Sequence, residues 1–142
     1  MIQRIQSVYL LLAAILGVFS YFMPFAQAGS DTMTIYNVSN LSGEVASAQI
    51  FPWLISLGIA ITLLAIFLFK KRSLQIKVSA GAAMIFLLTG SLFLILADRF
   101  TNLKIDFQFW IALPFISALL CYAAVRNIKK DEKLVRAADR LR

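Results

Sequence analysis

The residues equipped for chemistry are few and poorly placed for it. Serines stand at positions 20, 56, 79, 91 and 117 and the single cysteine at 121, each inside an apolar run. A hydroxyl becomes a working nucleophile only when a neighbouring base draws off its proton. The chain has no histidine, which removes the commonest general base and the commonest metal ligand together. Neither Asp, Glu, Lys nor Arg interrupts the apolar runs. No lysine is therefore buried beside a serine, and no ionisable group within the runs could bind a proton and a cation in turn, as a proton-coupled exporter requires. A lone cysteine forms no intramolecular disulfide, redox pair or cysteine-based zinc site, and in an apolar run it behaves as a small hydrophobe. The expectation is a protein that is not an enzyme and holds no cofactor and no metal.

The elements that carry these residues dominate the composition. Of 142 residues, 61% are hydrophobic and 15% charged, against roughly 45–50% and about 25% in a soluble domain. A water-soluble chain of this size could not enclose that much apolar surface. A bilayer with a hydrocarbon core about 30 Å thick is crossed by roughly 20 apolar residues as a helix. Four segments qualify: Ser7 to Ala26, Phe51 to Phe69, Val78 to Ala97 and Phe107 to Val125. Each is expected to be a helix, because lipid offers backbone groups no other partner. The fold class predicted is an all-α membrane protein, one domain over residues 1–142, with four transmembrane helices in an antiparallel up-down bundle. Ala26-Gln27-Ala28 resembles a signal-peptidase site, but the apolar run before it exceeds the roughly 7–15 residues of a signal-peptide core, so the first span is read as retained.

Positive charge orients the spans, because cytoplasmic segments collect Lys and Arg. Arg4 precedes the first span, Lys70, Lys71, Arg72 and Lys77 separate the second from the third, and seven basic residues follow from Arg126 onward. Only Arg99 and Lys104 fall on the other side. Both termini and the Lys70–Lys77 connector are thus expected in the cytoplasm, with the chain in a bacterial inner membrane. Lys70, Lys71, Arg72 and Lys77 read as a topology anchor touching anionic lipid, worth about 1 kcal/mol per charge.

The external loop from Gln27 to Ile50 alternates from Thr32 to Ser39 and then reads as a turn at Asn40 to Gly43, so a short hairpin is expected. Asn37 and Asn40 match the glycosylation pattern, which is read as coincidence. Asp98 and Arg99 are expected at the interface as a solvated helix end. The tail, Lys129 to Arg142, reads as an amphipathic cytoplasmic helix with Leu134, Val135, Ala138 and Leu141 on one face. Lys133, Arg136 and Arg140 on its other face are candidate lipid or partner contacts. Aromatic interleaving is absent, so nucleic acid is not an expected partner.

Within the spans, small residues recur at helical spacing and would let helices approach closely. The candidate packing positions are Ala13 and Gly17, then Ser56, Gly58 and Ala60, then Ser79, Ala83 and Gly90; Ala118 and Cys121 follow in the fourth span. Pro114 lacks the donor that would bond the Trp110 carbonyl, so a kink is expected there. Phe51, Trp53, Phe107, Phe109 and Trp110 form an expected aromatic band at the external interface.

Two stretches carry a resemblance. The start, MIQRIQSVYLLLAAIL, and the end, KDEKLVRAADRLR, resemble a bacterial family of small four-span membrane proteins described only as a domain of unknown function. The resemblance implies a four-helix integral inner-membrane protein with a cytoplasmic tail. It brings no activity, cofactor or catalytic residue. The function expected from the residues is therefore that of a non-catalytic accessory or assembly subunit, partnered by membrane lipids and by other membrane proteins or itself. The alternative is an oligomeric channel or transporter for a small apolar or neutral solute.

Overall fold

The computed structural model describes residues 3–28, 31–35, 50–100 and 105–140. The fold is mostly helical. Four helices pack together: α1 (Gln3–Phe19), α2 (Ile50–Phe67), α3 (Arg72–Phe100) and α4 (Ala112–Arg140). They close a ring in which α1 lies against α2 and α4, and α3 against the same two. The last three are long and apolar enough to cross a membrane, while α1 is a shorter apolar helix. Its 17 residues rise about 26 Å.

The first span is shorter at its C-terminal end than the hydropathy suggests. The helix stops at Phe19 rather than running to Ala26. The Ser20 hydroxyl donates to the Leu16 carbonyl at 3.0 Å, and Tyr21 and Phe22 fold back through bonds to the third residue before each. Pro24 then holds the chain extended, and β1 (Ala26–Ala28) follows.

β1 is the centre of a three-stranded sheet, between β2 (Asp31–Met33) and β3 (Ile105–Phe107). Both pairings are antiparallel, with Ala26 opposite Met33 in one and Phe107 in the other. A hairpin is thus present, but one turn earlier in the chain than the alternation suggests. Residues 36–43, where the rest of the expected strand and its turn fall, lie outside the described residues, as do the two glycosylation-pattern asparagines. The third strand comes from the loop after α3, which the sequence reads only as a short charged connector.

The basic connector is also mostly helix. Its turn is confined to a 3-10 segment at Leu68–Lys70 and an irregular Lys71. Arg72 and Lys77 already belong to α3. Gln75 is buried and donates to the Ala65 carbonyl at 3.0 Å, satisfying a backbone group near the end of α2 that few others can reach.

Pro114 does not sit mid-helix. A 3-10 turn at Phe109–Ile111 precedes α4, which begins at Ala112. Pro114 therefore falls in the first α-helical turn, where a missing donor is tolerated. The expected kink is replaced by that change of helix type.

The tail continues α4 without a break through Arg140. Both α3 and α4 have 29 residues, or about 44 Å each, so each overshoots a hydrocarbon core of about 30 Å.

Two clusters fill the interior. One holds the sheet against the helices: Phe93 of α3 meets Phe25 and Phe51 edge-on, with centroids 5.1 and 5.4 Å apart, and Met33 and Ile35 are buried beside them. The other lies deeper among the helices, around Leu10, Ala65, Ala82, Phe86 and Ala124. The outside is apolar as well: Leu64, Leu88, Ile95 and Leu119 are all at least half exposed. Apolar surface on that scale marks contact with a membrane or another protein.

Candidate functional site

The helices enclose a closely filled interior. At its centre the Phe86 ring is fully buried. It fits because the facing positions carry no side chain. A Cβ on Gly17 would stand 3.2 Å from the ring and 2.8 Å from Ile59 Cγ1, and Gly58 faces the same ring from α2. A second close approach joins α3 to α4, where a Cβ on Gly90 would come within 2.8 Å of the Phe115 ring. Ala13, Ala83, Ala118 and Cys121 are buried in the same interior.

Two threonines inside this core are tied to their own helix backbone. Thr62 donates to Gly58 O at 2.7 Å and Thr89 to Ile85 O at 2.8 Å. Thr62 also touches Cys121 Sγ at 3.8 Å. The Ser79 and Ser117 hydroxyls are buried with no hydrogen-bond partner among the described residues. The internal bonds of Thr62 and Thr89 leave those two hydroxyls little capacity to bind anything else.

Not every small residue expected at an interface is there. Ala60 is exposed on α2, because the face two residues from Gly58 points away from the bundle. Ser56 is exposed too, although its hydroxyl bonds the Tyr21 hydroxyl. Tyr21 also donates to the Pro52 carbonyl at 2.8 Å. Of the expected aromatic band, Phe51 is fully buried in the core rather than at an interface, while Trp53, Phe107, Phe109 and Trp110 are exposed at the sheet end.

The opposite end is a basic rim. Lys71, Lys77, Lys129, Lys130 and Lys133 are exposed and Arg72 half-buried. The side chains of Lys70, Arg136 and Arg140 lie outside the described residues, as do those of Asp98 and Arg99. At this rim Gln6 of α1 is buried and donates through Nε2 to Asp131 Oδ2 on α4. Just beyond, Leu134 and Val135 are exposed. Among the described residues no three His, Cys, Asp or Glu side chains come together as a metal site would require.

A family model described as Domain of unknown function (DUF4293) matches residues 2–141. The chain belongs to that family. No curated protein and no solved structure matches it. The match takes in both quoted ends and the whole bundle between them, so the DUF4293 unit includes the rim and the C-terminal helix.

Two links in this DUF4293 chain escaped sequence reasoning. Gln6 reads as an ordinary polar residue ahead of a span, and Asp131 as one acid among many bases. The signal was available in their types: a polar amide one turn inside an apolar helix needs a partner when buried. The Tyr21 bridge to α2 had no such signal, because an aromatic near a span end is usual in any case.

Proposed function

We propose that the protein is a non-catalytic integral protein of the bacterial inner membrane that serves as an accessory or assembly subunit of a membrane protein complex. The observation that carries this reading is the helix end that leaves the bundle with uncovered apolar residues. By length, the final turns of α4 extend past any bilayer core, yet Leu134 and Val135 stay exposed among basic neighbours. A solvated tail has no need of such a face, whereas a docked one does. The filled centre supports the same choice. With Phe86 seated against Gly17 and Gly58, a single chain offers a solute no open route along the bundle axis, which weighs against the transporter reading for the monomer.

The up-down, antiparallel arrangement is supported by contacts that join successive ends. Tyr21, just past α1, bonds Pro52 at the start of α2; Ala65 near the end of α2 accepts from Gln75 near the start of α3; Gly90 late in α3 faces Phe115 early in α4. Gln6 returns α1 to the far part of α4. The excess of basic residues favours a cytoplasmic side for the rim, the C-terminal helix and both termini. A reporter fused after Arg142 is expected to be active in its cytoplasmic form, and activity of a periplasmic reporter at that site would invert the orientation.

The subunit reading is tested by extracting the tagged chain in mild detergent and identifying what co-purifies. A defined set of membrane proteins is expected, and it should be lost when Leu134 and Val135 are both replaced by serine. Recovery of the chain by itself in every detergent would count decisively against this function.

A further inference from the structure

We infer that the groove between α3 and α4 is a binding site for one anionic phospholipid, its acyl chain along the groove and its phosphate on Lys129. The groove has a volume of about 310 Å³. Ala80, Ala83 and Met84 of α3 and Leu119 and Tyr122 of α4 line it, and Lys129 stands at one end. It exists because alanines face each other across a seam whose outer neighbours are large. Ala83 and Ala118 are buried at its floor, while Met84, Leu119 and Tyr122 are exposed walls.

Three features choose the occupant. The lining is apolar along its length except for the terminal cation, so the ligand must be an amphiphile with a negative head. From Leu119 to Lys129 the helix rises about 15 Å, which is half of a hydrocarbon core of about 30 Å and so the depth of one leaflet. The cation also lies where a headgroup would be. Lys77, one turn before Ala80 on α3, and Arg126 and Lys130 on α4 are exposed nearby, and a lysine stem can lie along apolar surface while its ammonium reaches the phosphate. These four bases outnumber the two acids beside them on α4, Asp131, which accepts from Gln6, and Glu132, half-buried one turn beyond Lys129.

The inference rests on α3 and α4 crossing a membrane, and not on the subunit reading or on which side the rim faces. The test is native mass spectrometry of the full chain released from vesicles holding equal phosphatidylglycerol and phosphatidylcholine of the same acyl chains. Retention of one phosphatidylglycerol per chain is expected, at least fivefold over phosphatidylcholine. Lys129→Gln should remove that preference while keeping weak binding of both lipids. Ala80→Phe, at an exposed position that fills the groove without touching the core, should abolish retention of both. Equal retention of the two lipids by the natural chain, or unchanged retention in Ala80→Phe, would overturn the site. So would a lipid-free dimer that Ala80→Phe dissociates, because the groove would then hold a second copy. Failure of the chain to enter the vesicles at all would overturn the inference along with the membrane reading, whereas a chain that binds the lipid yet captures no partner would overturn only the proposed function.

Discussion

Phe86→Ala is expected to lower the stability of the detergent-solubilised chain by about 3 kcal/mol, at the lower end of the range for deleting a buried aromatic ring. The ring is fully buried and lies against α1 and α2 at Gly17 and Gly58. Neither glycine has a side chain that could turn into the vacated space, so the hole would persist unless whole helices moved. In lipid or detergent the transfer of apolar surface contributes little, because the unfolded reference is also apolar. What remains is the loss of dispersion contacts, each of which is individually small and collectively large for a ring this enclosed. Denaturation of the purified chain in sodium dodecyl sulfate, followed by circular dichroism or by the fluorescence of Trp53 and Trp110, measures the change. A loss below about 1 kcal/mol, the level of a single methylene-sized trim, would show that the centre is loosely filled and would revive an open axial route.

Gly90→Leu tests the opposite fault. The glycine lies where even a Cβ would stand 2.8 Å from two atoms of the Phe115 ring. A leucine adds a branched chain to that space, and the ring can yield only by pushing α4 away from α3. Overpacking of this kind costs about 1–3 kcal/mol and occasionally more, and a value at or above the top of that range is expected here. The same denaturation reads the loss. The companion change Phe115→Leu should recover at least part of it, since residues in direct contact couple by about 0.5–3 kcal/mol. If Gly90→Leu were as stable as the natural chain, the α3–α4 contact would have to be looser than the structure describes.

The two changes probe one design from opposite directions. Without water inside a bilayer to drive helices together, their association depends on how closely surfaces fit. Large rings set into glycine-bearing faces are one way to obtain that fit. The polar links at the ends act differently. Gln6 with Asp131 and Gln75 with Ala65 are side-chain bonds between elements. They join α1 to α4 and α2 to α3 at the rim end, while at the other end Tyr21 ties the segment after α1 to α2 and the sheet ties that segment to the one before α4.

That the apolar stretches form long helices was legible from the chain alone, because continuous apolar stretches of that length have few other uses; where they begin was less so, since Phe107, expected to open the fourth span, lies in a strand and α4 starts at Ala112. The basic rim was legible for a related reason: charge cannot enter an apolar run, so it accumulates at the ends. Those properties are local, and each can be read from a window of about 20 residues.

The tertiary structure decided what depends on residues distant in sequence. That Gly17 and Gly58 serve one ring while Ala60 faces outward follows from how the helices are rotated about their axes, and spacing alone leaves several rotations open. The third strand was invisible for the same reason, since Ile105–Phe107 becomes a strand only because β1, far back in the chain, presents a free edge to it. Composition selects a solvent for each stretch of chain, but the meeting of particular faces is settled by shape, and shape is completed only when the helices are together.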